Sequence, residues 1–329
     1  MNPLKIDPTR TTRLRSQFIG ALRVRFKLFK SELQDLLIKG DNFGLKVPTR
    51  NEEWRPLYSD RNLEQLKKWL KYKTAQLFLK QEQDDAAQTW LGEYTKQAYQ
   101  QGLKRAWGDF KRPTGIMTMP KEVGLAYQQG QAAEFMRQSF GGPTPLERVR
   151  VLATRAFTDL QGITEQMSTQ IQRTLLDGIT SGVSPYDTGK ELNKIVDGYH
   201  RRGTAIARTE TIRAFNEGAL DGLENLGAKS VGVMVEWTTS GLGITNRGNP
   251  SPCPKCASLA GLVLTIEEAR GLLPRHPNCM CSIVPANVGE KTTGQIRDAA
   301  RIRAAIARSA RGDSRWIGAK KKISSKRPA

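Results

Sequence analysis

The sequence predicts a mainly α-helical protein with a small α+β module in its C-terminal half and a basic tail. Three observations carry that expectation. Apolar residues recur every three or four positions through most of the first 227 residues. After that point, between 229 and 286, β-branched runs alternate with Gly/Pro/Asn-rich loops. All four cysteines of the 329-residue chain, Cys253, Cys256, Cys279 and Cys281, fall in that second stretch.

The first helix is expected over 10–39. Leu14, Phe18, Leu22, Phe26, Phe29, Leu33 and Leu36 share one face at 100° per residue. The segment 40–60, rich in Gly and Pro, interrupts it. Periodicity resumes near Arg61 with Leu63, Leu66, Leu70 and Tyr72, and runs to Phe110 with an interruption near Asp84. A shorter helix is expected over 121–139, ended by "GGPTP" at 141–145, where a domain boundary is placed. Residues 146–180 read as helix. Ser184-Pro185 opens another over about 186–198, since proline suits a first helical position. A further helix is expected over about 203–226, with Gly227 as its C-cap. "SVGVMVEWT" reads as a strand with Val231, Val233 and Val235 on one side, and "GLVLT" and "SIVPA" as two more. Between those two, Thr265 precedes two glutamates, the pattern of a capped helix. The resulting organisation is a helical region 1–142, a helical stem with a short β-sheet over 143–286, and a basic helix and tail over 287–329.

The net charge of +20 is concentrated at the ends. Residues 1–30 carry eight Lys/Arg against one Asp, and residues 291–329 carry twelve against two. The 260 residues between them are close to balanced. Such ends favour a polyanion, nucleic acid before an anionic membrane. The first residues lack an apolar signal core, and no apolar run approaches the ~18–20 residues that span a bilayer. The expectation is therefore a protein with no membrane partner, made in a reducing cytoplasm, where clustered cysteines are metal ligands rather than disulfides.

The cysteines are spaced C-x2-C, then nineteen residues, then the "HPNCMC" that supplies His276, Cys279 and Cys281. Two short ligand groups about twenty residues apart form the pattern of a structural zinc site. Soft thiolates and an imidazole in a tetrahedron suit zinc. Five candidates compete for four places. If the backbone is extended there, Cys279 and Cys281 point to opposite sides, which favours Cys253, Cys256 and His276 plus one of them. An all-cysteine site with His276 hydrogen-bonded alongside stays open. The module is short and loop-rich, and one zinc per chain would contribute on the order of 10 kcal/mol to its folding.

The helix before the module, "RRGTAIARTETIRAFNEGALDGLENLG", has two faces. Ala205, Thr209, Ile212, Asn216, Ala219 and Leu223 share one; Glu210, Glu217, Asp221 and Glu224 share the other. The acidic face is read as solvent-exposed. Arg208 and Asn216 are expected to tie the helix to the strand layer, because buried polar groups need partners.

Taken in order, "IARTETIRAFNEGA", a strand with "EW", C-x-x-C and "HPNCMC" resemble the phage Mu F-like family of minor head proteins, the phage head morphogenesis proteins. The likeness spans about residues 146–286. The family's "ARTE" falls on Ala207, Arg208, Thr209 and Glu210, its following Asn on Asn216, its cysteine pair on Cys253 and Cys256, and its "HPxCxC" on His276, Pro277, Cys279 and Cys281. Two family carboxylates are missing. The segment before the first cysteine, "GLGITNRGNPSPC", has no Asp, and Leu259-Ala260-Gly261 stands for "L-D-G". The resemblance implies a low-copy virion protein. It would enter the procapsid, lie in the capsid interior near the portal, and contact the portal protein, packaged double-stranded DNA, and scaffold or major capsid protein. A role in genome packaging or ejection goes with that position, as do portal or scaffold contacts for region 1–142.

In the C-terminal segment Arg297, Arg301, Arg308 and Arg311 fall on one helical face, with Ile302 and Ile306 opposite and Arg315 joining the basic side. Lys320, Lys321, Lys322, Lys326 and Arg327 follow in a segment expected to be disordered. Such residues bind phosphate backbones without reading sequence. Two other classes fit parts of the chain: a zinc-containing, sequence-nonspecific DNA-binding protein, and a phage-encoded nuclease or transferase. The enzyme is short of histidine. With His276 in the cluster only His200 remains, read as a surface residue at a helix end, and no catalytic residue is assigned.

Overall fold

The computed structural model describes residues 7–39, 60–79, 86–110, 132–141, 143–181, 183, 185–227, 234–239, 243–244, 250–251 and 254–286. Cys253, Val231, Val233 and every basic residue assigned beyond 286 lie outside these, as does most of the helix expected over 121–139. The chain is mainly helical, with a small three-stranded antiparallel sheet in its C-terminal half.

Helix α1 (Thr12–Gln34) continues into a π-helical turn, Asp35–Lys39. Helix α2 (Asp60–Thr74) likewise ends in a π-helical turn, Ala75–Leu79. A 3-10 turn at Ala86–Gln88 leads into α3 (Trp90–Phe110), so the periodic stretch from 61 to 110 is two helices. Thr89 closes the second one: its hydroxyl accepts the Gly92 N–H at 3.0 Å. Helices α4 (Ala132–Gly141) and α5 (Pro143–Thr180) follow.

Helix α6 (Pro185–Asn225) is one unbroken rod of 41 residues, where the sequence suggested two. Gly203, where the second of those helices was expected to begin, lies inside the rod and is a contact point. A Cβ there would come within 3.3 Å of the Phe26 ring of α1. His200 consequently sits inside a helix, edge-on to Phe26 at 5.4 Å, and not at a helix end. The rod ends as expected, with Gly227 at a left-handed φ of 74°.

The helices on either side of residue 142 share one core. Phe18, Leu22, Phe26, Phe29 and Leu33 of α1 and Leu66 and Leu70 of α2 join Leu160, Met167, Ile171 and Leu175 of α5 and Leu192 and Val196 of α6. A smaller layer joins Leu14, Tyr99, Leu103, Val149 and Ala214. Helices α3 and α6 approach to backbone contact through glycine. A Cβ on Gly102 would lie 2.0 Å from the Phe215 carbonyl oxygen, and one on Gly218 would lie 2.1 Å from that of Tyr99.

Strand β1 (Val235–Thr238) is the middle of the sheet, between β4 (Val263–Leu264) and β5 (Ser282–Pro285), both antiparallel to it. Its alternation puts Val235 and Trp237 inward. A two-residue pair, β2 (Gly243–Ile244) and β3 (Pro250–Ser251), precedes a single turn of helix, α7 (Pro254–Ala257). Helix α8 (Ile266–Ala269) begins with a full capping box between Thr265 and Glu268. The module does not close its apolar surface on itself. Trp237, Leu264, Ile266, Leu273 and Ile283 pack with Ala219, Leu220 and Leu223 of α6 and Ala106 of α3. No described helix is long and apolar enough to cross a membrane.

Candidate metal centre

Helix α7 presents Cys256, and the loop between α8 and β5 presents His276, Cys279 and Cys281. The Cys256 Sγ lies 3.1 Å from His276 Nε2 and 3.9 Å from Cys279 Sγ. These three donor atoms fall within 4.8 Å of one another, a cluster that could hold a metal ion. Two thiolates bound tetrahedrally at about 2.3 Å would sit about 3.8 Å apart, so the sulfur pair is already spaced for an ion. A bound imidazole nitrogen would sit about 3.5 Å from each sulfur, which asks His276 to back away by a few tenths of an ångström.

The imidazole is pre-oriented. Nδ1 faces the Pro277 carbonyl oxygen at 2.9 Å. A proton on Nδ1 makes that a hydrogen bond and leaves the Nε2 lone pair toward the cysteines, the usual outer-shell arrangement of a metal-bound histidine. The thiols share their charge unequally. Hydrogen bonds from Cys256 and then Cys281 hold the Cys279 thiol well below its ordinary pKa, while the bond to Cys279 pushes Cys256 up. Cys281 lies outside the three-donor cluster but near enough to share charge with its two thiols, and the expected divergence of Cys279 and Cys281 fails on geometry, because residues two apart share one side of extended backbone. The chain is irregular through 279–281, with the Cys279 N–H bonded back to His276 O at 3.0 Å. Trp237 is 1% exposed, and its indole N–H is buried without a hydrogen-bond partner among the described residues.

The loop is fixed to α6 by the motif residues. Asn278 holds a left-handed φ of 60°, a conformation asparagine tolerates well. Its N–H donates to Thr209 Oγ1 at 3.0 Å, and its side-chain oxygen accepts from Arg208 at 3.4 Å. Arg208 therefore reaches the ligand loop, and Asn216 reaches the strand. Asn216 Nδ2 donates to Cys281 O at 3.3 Å, and Asn216 Oδ1 accepts the Ile283 N–H at 3.2 Å. Glu210 points elsewhere, to Arg213 at 3.0 Å and Arg155 at 3.7 Å. Burial raises its pKa, against the pull of those two arginines.

The acidic face of α6 is not solvent-exposed. Glu217 and Asp221 are buried at 8% and 6% exposure. Arg270, just after α8, reaches Asp221 at 2.7 Å, Glu217 at 3.3 Å and Glu224. The Gly271 N–H adds a bond to Glu217 at 2.9 Å. Arg148 of α5 meets Asp221 at 2.8 Å, and the Tyr99 hydroxyl of α3 donates to the same carboxylate. Burial and then the Asp221 charge push the Tyr99 phenol far above its ordinary pKa. Sequence reading missed Arg270, Arg148, Tyr99, Trp237 and Asn278. The one available signal was chemical: three acids on a helix otherwise flanked by apolar residues require cations from somewhere.

Comparisons with family models, with curated proteins and with solved structures each return no match.

Proposed function

We propose that this chain is a minor head protein of a tailed bacteriophage, of the head-morphogenesis kind, whose C-terminal module is built on a single structural zinc. Cys256, His276 and Cys279 are three of its ligands, and the fourth is Cys253 or Cys281. In this reading the protein enters the procapsid, sits near the portal, and meets packaged DNA through its basic ends, Arg297 to Arg327 included. A role in packaging or ejection follows from that position.

One observation carries the reading. The residues that resemble the family's two separated motifs form a single bonded unit: Arg208 and Thr209 hold Asn278 of the "HPNCMC" loop, and Asn216 holds Cys281 and Ile283. A sulfur-rich, buried donor set braced by a helix suits an ion that fixes structure better than one that keeps a position open for substrate. A sequence-nonspecific DNA-binding protein remains the second reading, favoured by the charge at the ends alone.

Two measurements test the proposal. Elemental analysis of the purified full chain should find about one zinc per chain, and His276→Ala or Cys279→Ser should remove it. Mass spectrometry and crosslinking of purified phage particles should find the chain at low copy beside the portal; its absence from particles overturns the capsid assignment and leaves the zinc assignment standing.

A further inference from the structure

The fold sorts the cations of the first thirty residues into those used internally and those left facing water. Arg15 is buried and pairs with Asp7 at 2.5 Å. Arg25 lies over the Trp90 ring at 3.9 Å and donates to the Ala21 carbonyl oxygen. Lys30 binds Asp197 of α6 at 3.1 Å. Arg10, Arg13, Arg23 and Lys27 remain, all exposed and with no ion pair among the described residues, and of these Arg23 and Lys27 fall on the helical strip that leads to Lys30 and α6. They stand one helical turn apart on α1, about 6 Å along its axis.

Helix α6 runs antiparallel beside this strip, as Phe26 meets His200 and Gly203 while Gln34 meets Asn193 at 3.2 Å. It adds Arg201, also exposed and without an ion pair among the described residues. Arg201 follows His200 in the chain, and Arg23 lies about one turn before Phe26, whose ring meets His200. Burial lowers the pKa of that imidazole, and the two arginines lower it further, against Asp197. Like charges gathered on one rigid face raise the free energy of the free protein, and a row of phosphates would lower it.

We propose that Arg23, Lys27 and Arg201 form a folded binding face for the phosphate backbone of double-stranded DNA, separate from the basic tail. This rests on the DNA contact proposed above and gives it a second, structured site. An anionic membrane fits less well. A helix that lies in a membrane surface needs its apolar face free, and the Phe18, Phe26 and Phe29 face of α1 is buried in the bundle. The face reads charge and not sequence, since guanidinium and ammonium groups reaching phosphates carry no base information.

The test uses the full chain, a random-sequence 30-base-pair duplex and fluorescence anisotropy across 50–200 mM salt. Each phosphate neutralised contributes about 0.9 to the slope of log K against log salt. The triple variant Arg23→Gln/Lys27→Gln/Arg201→Gln should flatten that slope by about 2.7 and weaken binding on the order of a hundredfold near 0.1 M salt. Its melting should stay close to that of the parent, because all three side chains are exposed. A comparator carrying Lys320→Gln, Lys321→Gln, Lys322→Gln and Lys326→Gln should lose a further, additive portion. If the face variant keeps the parent's slope while the tail variant loses it, the folded site is wrong and the tail alone binds DNA. If the parent binds no duplex at 50 mM salt, the DNA reading fails with it. Binding to phosphatidylserine vesicles but not to duplex, lost in the face variant, replaces DNA with lipid and overturns the proposal.

Discussion

Asn216 is the side chain on which the ligand loop and the sheet both depend. It is 2% exposed and spends its amide on two backbone groups of another element, the Cys281 carbonyl and the Ile283 N–H, with a third bond to Ile212 O of its own helix. Asn216→Ala would strand both distant groups in a dry interior, where each unsatisfied group costs about 1–3 kcal/mol. Urea unfolding of the variant is expected to show a loss of about 2–4 kcal/mol. Because the same bonds fix the backbone at Cys281, metal affinity measured by chelator competition should also fall about 10- to 100-fold. Full stability together with unchanged affinity would mean that the module orients its ligands without α6. This role was legible in the sequence: a polar residue on an otherwise apolar face announces a partner. The partner's identity was not, since it lies 65 and 67 positions away.

The helices show where pattern reading succeeds and where it stops. Helix α1 was legible because its seven apolar positions fall on one face, and six of them are buried at 3% exposure or less. The unbroken run of α6 through Gly203 was not, because a glycine that ends a helix and one that admits a neighbour look alike in a single sequence. The contact between α3 and α6 makes that second use explicit. Gly102 and Gly218 each face a carbonyl oxygen of the other helix at a distance no Cβ could share. Gly218→Ala should force the two rods apart, opening the layer of Ala98, Tyr99 and Leu103. The expected loss is about 3 kcal/mol or more, at or beyond the upper end for overpacking. Gly20→Ala is the control, because nothing lies within 4 Å of its added methyl. There the lower backbone entropy of alanine should raise stability by about 0.5–1 kcal/mol. Equal effects at the two sites, read by thermal melting, would remove the close approach as the reason for glycine.

The α+β module is joined to the helical body by two separate devices. On one side Arg208, Thr209 and Asn216 hold the ligand loop, which carries His276 and Cys279 of the Cys256–His276–Cys279 cluster. On the other, Arg270 enters the carboxylates of α6 and shares Asp221 with Arg148 and Tyr99. The cysteine spacing made the first device readable from sequence. The second was hidden because its members come from α3, α5, α6 and the end of α8, and the acids alone looked like a solvated stripe. Removing one partner of a buried ion network strands the others, at about 3–5 kcal/mol. Arg270→Met should therefore destabilise the chain by that amount in urea at neutral pH, although the aliphatic replacement keeps most of the packing. The two devices predict a pattern of hydrogen exchange. Chelation of the proposed metal should loosen 254–286 in part, because the Arg270 clasp still anchors it. Chelation of the Arg270→Met variant should release the segment to near-complete exchange while α1, α5 and the first half of α6 stay protected by their own core. If chelation alone exchanges the helical body together with the module, the two form one cooperative unit, and the division of labour between ion and clasp is wrong.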